Sequence, residues 1–247
     1  MHLPRSLEFL RRTEPWRKVS ELRYLQRMKP RTEFYRHLVS KGQLVFDVGA
    51  NAGNYTLLLH KIGARVVAVE PQADLASELE TRFSHTSRVT VVKAALGGKI
   101  SKGILKKTPD LNEVASMHPD ISQRSRFSLC HPFSLEEEVP VLTLDTLIAE
   151  HGTPSFCKID VEGYELEVLK GLGTALKLIS IEFNREFWSE TCACLELLAR
   201  KASYRFNYTL GEAPVFRSQT WLSSGEVMAE LASLEDPLLW GDIYARL

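Results

Sequence analysis

The chain reads as an α/β domain built on a doubly wound, mostly parallel seven-stranded sheet, preceded by a helical N-terminal extension. Three observations predict this. Leu44-Val45-Phe46-Asp47-Val48 is an apolar, β-favouring run that breaks into a small-residue loop, Gly49 to Gly53, and then into a helical pattern from Tyr55 to Ile62. A second apolar run, Arg65-Val66-Val67-Ala68-Val69, ends in Glu70. Strand-like and helix-like segments then keep alternating, which calls for a parallel sheet with right-handed crossovers. A length of 247 residues, 44% hydrophobic and 25% charged, suits one such domain. Residues 42–247 are assigned to it and residues 1–41 to the extension.

The extension is helical in pattern. Val19, Leu22, Leu25 and Met28 share one face; Pro30 interrupts, and Phe34, Tyr35, Leu38 and Val39 make a second short face. Residues 1–41 hold eleven Lys/Arg and four Asp/Glu, a net of +7 on a body of −7. A basic arm on an acidic body docks on itself or meets an anionic surface, peripheral membrane contact included. The narrow stripe with a single tryptophan favours packing against the sheet.

Strand one is expected over 43–48, followed by a helix to about residue 62. Strand two covers 65–70, with a helix from Gln72 to Phe83 behind it, and strand three runs from Val89 to Ala95. Residues 97–141 hold no long periodic segment. Gly98 to Leu105 has the pattern of an extra strand or hairpin, and Asp110 to Leu135 is polar and rich in Ser, His and Pro. Such an insert is expected to wall an acceptor pocket. A short helix follows at 143–149, with Thr143 or Asp145 as cap. Strand four is 155–160, a helix runs from about Tyr164 to Lys170, and strand five is 176–183. A helix from about Glu190 to Lys201, strand six at about 204–209, a helix at 223–234 and a last strand at 242–246 complete the chain, the late strands reading as a hairpin-like pair.

Cys130, Cys157, Cys192 and Cys194 have no zinc spacing, and the last two are too close for an easy disulfide, so reduced thiols and a cytoplasmic protein are expected. No apolar run approaches the ~18 residues of a membrane span, and Met1-His2-Leu3-Pro4-Arg5 lacks a signal-peptide core. Nucleic-acid binding is disfavoured by the acidic body and the lack of basic-aromatic interleaving.

Glycines at 49 and 53 allow a sharp turn and close approach to a ligand. Glu70, at the tip of the second strand, is placed to accept both hydroxyls of a ribose. The loop is Asp47-x-Gly49-x-Asn51-x-Gly53, with Asn51 where the dinucleotide fingerprint has a middle glycine. A carboxylate at its mouth would repel pyrophosphate, which argues against a nicotinamide oxidoreductase. The same carboxylate suits a ligand with an ammonium and a sulfonium: S-adenosylmethionine, which has a ribose and no phosphate. Asp47, Gly49, Asn51, Gly53 and Glu70 are therefore cofactor candidates, Asp47 either orienting the loop or meeting the ammonium. Ala94 and Ala95 would leave room for adenine at the end of strand three.

Several blocks together resemble the FkbM family of S-adenosylmethionine-dependent methyltransferases. They are Val45 to Gly53, Val69-Glu70-Pro71, Leu142 to Leu147, Lys158-Ile159-Asp160-Val161-Glu162-Gly163-Tyr164-Glu165 with Leu169-Lys170-Gly171 behind it, and Ile181-Glu182-Phe183. The block from Lys158 to Glu165 is the most specific, and the resemblance covers about residues 43–210. It implies the Rossmann-like class I methyltransferase fold and O-methylation of a small-molecule, glycan or lipid acceptor, with no nucleic acid.

Asp160 stands at the tip of strand four, Glu162 on the turn after it and Glu182 near the tip of strand five, the end of the sheet where ligands bind. All three are catalytic candidates; Asp160 leads as the base that takes the acceptor's proton, Glu162 has helix capping as its alternative, and Glu182 a bond to backbone near Asn184. Three converging acids should push at least one pKa upward. Such an oxygen cluster also suits magnesium, but the acids serve as base and acceptors without it, and no metal is assigned. Lys158 is expected on the opposite side of its strand from Asp160. His118 and His131 read as solvated loop residues with a catalytic role as the alternative, Ser116 as a loop residue with an acceptor contact as the alternative, and Trp221 and Trp240 as packing for the C-terminal strands rather than stacking on substrate. N- or C-methylation, and a non-catalytic cofactor-binding module, remain the alternatives.

Overall fold

The computed structural model describes residues 28–111 and 114–247. The expected helical face of Val19, Leu22 and Leu25, with most of the basic arm, lies outside these residues. Residues 28–38 form helix α1. The main sheet comprises β1 (Leu44–Val48), β2 (Arg65–Val69), β3 (Val89–Val92), β8 (Phe156–Ile159), β9 (Leu178–Asn184), β10 (Arg205–Tyr208) and β11 (Trp240–Arg246). Its order is β10-β11-β9-β8-β1-β2-β3. β1, β2, β3, β8 and β9 pair in parallel, and β11 runs antiparallel between β9 and β10. This is the doubly wound, mostly parallel seven-stranded architecture expected, including the late antiparallel pair.

Register explains how the two faces differ. Val48, Ile159, Ile181 and Ile243 sit side by side, and their face packs the largest apolar cluster. Helices α5 (Leu144–His151), α6 (Glu165–Lys170), α7 (Trp188–Lys201) and α8 (Ser224–Ala232) contribute to that cluster. One residue earlier on each parallel strand, and one later on antiparallel β11, the side chains point the other way. There Asp47, Lys158, Ser180 and Tyr244 form one row, beneath α1, α2 (Asn54–Ile62) and α3 (Ala73–Phe83). Met28, Tyr35 and Val39 bury against Val45, Phe156 and Tyr244, so the described part of the extension packs on the sheet.

The main departure from expectation is at 89–142. Strand three ends at Val92, and Ala95–Leu96 (β4) joins a second sheet instead. The segment expected to lack long elements holds a long antiparallel pair, β5 (Ser101–Lys107) with β7 (Leu135–Leu142). With β4 and β6 (Ala115–Ser116) they make a four-stranded sheet ordered β4-β7-β5-β6. The sequence hides β7 because Glu136, Glu137 and Glu138 break its apolar alternation; two of them are instead met across the pair, Glu138 by Lys102 and Glu137 by Lys107. Between β6 and β7 lies the short helix α4 (Ile121–Arg124). Thr143 caps α5 by accepting from the Thr146 N–H, and the four cysteines are free.

Candidate active site

A cavity of about 970 Å³ opens at the carboxyl ends of β1, β2, β8 and β9, between the main sheet and the insert. Its floor is set where two loops touch. Gly49 sits at φ +82°, a conformation that L side chains rarely adopt, and a Cβ there would lie 1.8 Å from the Asp160 carbonyl oxygen. The Asp160 N–H donates back to the Val48 carbonyl at 3.0 Å. The β1 loop and the β8 turn are thus in backbone contact, which only glycine at 49 permits. Asn51 and Glu162 are the non-glycine residues with positive φ among the described residues, and both line the cavity. Backbone strain of this kind tends to collect at functional sites.

Glu70 is buried and lines the cavity. Its carboxylate accepts the Asn51 N–H at 2.8 Å and the Gln72 N–H at 2.9 Å, fixing the β1 loop to the end of β2. Burial pushes its pKa up to about 6 despite these bonds. Gly49, Asn51, Ala94 and Ala95 also line the cavity. Asp47 and Gly53 do not. Asp47 is buried beneath the loop and accepts the Thr56 hydroxyl at 2.6 Å, tying β1 to α2, so the ammonium-meeting role considered for it is corrected. Its place follows from strand parity: it shares the row of Lys158, one turn of pleat below the cavity floor. Gly53 precedes α2 with φ +79°, and its missing Cβ leaves room for Leu79 of α3.

Asp160, Glu162 and Glu182 converge as predicted, each offering an oxygen within 4.8 Å of the others. Glu162 does not cap α6. The N-cap of α6 is Tyr164, with no side-chain cap bond; Glu165, the first residue of the helix, instead braces the turn before it, its Oε1 accepting the Val161 N–H at 3.0 Å and the Gly163 N–H at 3.3 Å. The Glu182 carboxylate accepts from the Asn184 side-chain amide at 3.0 Å, not from backbone. Burial first, then the charges of Asp160 and Glu165, pushes Glu162 up to about 8. Burial first, then Asp160 and Glu162, raises Glu182 as well.

Lys158 is the residue that sequence reasoning misplaced. Positions two apart on a strand share a face, so Lys158 lies on the same side as Asp160. Only 1% of its side chain is exposed; its Nζ is 2.5 Å from Asp160 Oδ2 and 4.3 Å from the centre of the Tyr55 ring. Burial pulls its pKa down, but the surrounding acids, Asp160 first, more than reverse this and hold the ammonium charged.

The insert supplies the opposite wall through Leu105, Leu111, Val114, Met117 and Phe127. Two arginines clamp it to the end of β9. Arg126 forks onto Glu186 and also donates to Asn184 Oδ1 at 3.1 Å and the Leu238 carbonyl at 2.8 Å. Arg124 pairs with Glu190 and donates to the Glu186 carbonyl. His118, expected in solvent, is buried against Phe187 with its Nε2 3.3 Å from Glu190. Ser116 is buried too, donating to the Glu162 carbonyl at 2.8 Å and so bracing that strained turn. His131 is only partly exposed, with a buried Nδ1. Trp240 borders the cavity, contrary to expectation, whereas Trp221 packs on Phe216 and Arg246. An i, i+2 reading of the strand would have found Lys158; the arginines have no local signal, because their partners lie some sixty residues away.

The family profile described as the methyltransferase FkbM domain matches residues 47–206. The hexuronic acid methyltransferase AglP of Haloferax volcanii is 28% identical over 66% of this chain and 64% of its own length. The 31-O-demethyl-FK506 methyltransferase FkbM of Streptomyces tacrolimicus is 28% identical over 58% of this chain and 65% of its own. The chain thus spans just under two thirds of the length of these relatives. Among solved structures, precorrin-6y C5,15-methyltransferase from Geobacter metallireducens overlays with a TM-score of 0.46 at 14% identity, covering 89% of this chain and 85% of that one.

Proposed function

The chain belongs to the FkbM methyltransferase family, and we propose that it moves a methyl group from S-adenosylmethionine to a hydroxyl of a glycan, glycolipid or secondary metabolite. The observation that carries this reading is one cavity lined by two chemically distinct sets of residues. One is the Gly49 loop with Asn51, Glu70, Ala94 and Ala95; the other is the acids at 160, 162 and 182.

The residues present fit the donor. Gly49, Ala50 and Asn51 of the loop line the cavity, and Glu70 offers carboxylate lone pairs beyond the two that its backbone bonds use. Acids suit a cationic, phosphate-free ligand. S-adenosylmethionine supplies a sulfonium-bound methyl carbon open to in-line displacement. The chain must hold acceptor oxygen and methyl carbon close and collinear, and much of the rate gain comes from that positioning. An alcohol is a poor nucleophile at neutral pH, so Asp160 takes its proton as the oxygen–carbon bond forms and the sulfur keeps the electron pair of the broken bond. Such a base contributes roughly 10²–10⁴-fold. The names of the two relatives, one acting on a hexuronic acid and one on a demethylated oxygen, support an oxygen acceptor.

Radiolabelled S-adenosylmethionine offered with extracted glycans, lipids and small metabolites tests the reading. Label should enter a glycan, lipid or metabolite fraction as an ether, and Asp160→Asn should abolish most of it while leaving donor affinity intact. Transfer that survives Asp160→Asn would move the reading to a nitrogen acceptor, which needs less help from a base. Transfer to no fraction would defeat it.

A further inference from the structure

Three acids face the acceptor end of the cavity, and their sequence does not say which is the base. The surroundings of Lys158 do. Its side chain is sealed from solvent beneath the floor, and its ammonium meets Asp160 Oδ2 at 2.5 Å, while Asp160 itself is 27% exposed and opens on the cavity. No hydrogen bond or ion pair joins Lys158 to Glu162 or Glu182; Glu182 is held instead by Asn184, which in turn accepts from Arg126. The Tyr55 ring caps the ammonium from α2. We infer that Lys158 is a positioning residue that fixes Asp160, and not Glu162 or Glu182, as the ionised carboxylate of the trio, holding one oxygen in the floor and leaving the other for the acceptor's hydroxyl proton. This rests on the O-methyltransfer reading above.

The physical reason is charge crowding. Three carboxylate oxygens within 4.8 Å of one another cannot all stay ionised in a site half closed from water. A buried cation against one member favours the negative charge there, while burial favours the proton on Glu162 and Glu182. Other charged or titratable groups act on the pair: Asp47 from β1, Tyr55 from α2, Asp242 from β11 and Glu165 from α6, while Arg31 of α1 acts on Tyr55 and Asp242 and Arg126 of the insert on Glu162. Among the described residues, Lys158 is the cation hydrogen-bonded to a member of the trio.

The test is a double-mutant cycle of Lys158→Met and Asp160→Asn, with labelled donor and the extract fraction that the wild-type chain methylates. Lys158→Met should lower the transfer rate at least tenfold at pH 7, leave S-adenosylhomocysteine affinity within twofold, and move the acidic limb of the rate profile to higher pH. Lys158→Arg should restore part of the rate. In the Asp160→Asn background, Lys158→Met should cost nothing further, because it acts through a carboxylate already gone. Circular dichroism checks the fold of each variant, and where Lys158→Met does not fold, Lys158→Arg, which keeps the charge facing Asp47, Asp160 and Asp242, carries the test: a wild-type rate and pH profile when Asp160→Asn is combined with it would overturn the assignment. Additive losses in the cycle, or a Lys158→Met protein with wild-type rate and pH profile, overturn the assignment. Absence of transfer by the wild-type chain removes the underlying reading as well, and is told apart by that control.

Discussion

Replacing Glu70 with alanine should weaken donor binding as well as the fold. Glu70 holds two backbone N–H groups, from Asn51 at 2.8 Å and from Gln72 at 2.9 Å. Hydrogen bonds to a charged group contribute roughly 1.5–3 kcal/mol each, but water entering from the cavity replaces part of that, so the expected loss of stability is about 2 kcal/mol. The affinity loss comes on top: ribose hydroxyls lose their acceptor and Asn51 loses the anchor that keeps its φ at +52°. We expect ~1–3 kcal/mol, or about a five- to 150-fold rise in Kd. Titration calorimetry with S-adenosylhomocysteine at pH 8 measures it. A pH series adds a second reading. Burial lifts Glu70 from 4.5 to about 6, so ionising it in the donor-free protein costs roughly 2 kcal/mol more than in the unfolded chain. The sign for folding follows: the native state binds the proton more tightly, so this contribution to stability is fully present below about pH 4.5 and is lost as pH rises to about 6. Ribose hydroxyls donate to the ionised form, so donor affinity should fall as pH drops below about 6 in the wild-type chain and stay flat in Glu70→Ala. Unchanged affinity in the variant, or parallel pH curves for both proteins, would refute the role given to Glu70.

Two further outcomes are expected. Glu162, held up at about 8 by burial and its acidic neighbours, binds its proton more tightly in the native state than in the unfolded chain, so its contribution to stability declines as pH climbs from about 4.5 to about 8. Glu162→Gln escapes this, and its Tm should gain on the wild type steadily from pH 5 to pH 8; parallel melting curves would contradict it. Arg126→Ala strips the partner from Glu186, whose side chain is only 13% exposed, and should cost about 3 kcal/mol while freeing residues 117–134 to protease. Thermal denaturation and limited proteolysis read both, and an unchanged cleavage pattern would show that the arginine does not clamp the insert.

Much of this protein is legible in local pattern. The strand-turn-helix from Leu44 to Ile62, the acid at Glu70 and the carboxylates at 160, 162 and 182 are read from periodicity and from the rule that ligands sit at the carboxyl ends of parallel strands. Strand parity alone would also have placed Lys158 beside Asp160, and there the expectation failed on simple counting. Other features have no local signal. β7 is a strand because Lys102 and Lys107 reach its glutamates across a pairing set by the chain's return. Asp47 ties β1 to α2 because the Thr56 hydroxyl is there to donate to it. The insert walls the cavity because Arg124 and Arg126 find Glu190 and Glu186 on a distant turn.

By itself the sequence determined the fold class, the family and the set of acids, because these depend on periodicity and on residue types at fixed spacing. Only the tertiary structure decided which acid has the cation, which acids brace backbone instead of facing the cavity, and where the insert lies. Those are matters of distance between segments far apart in the chain, and of how much water each charge has lost on burial, and neither quantity is written in any local run of residues.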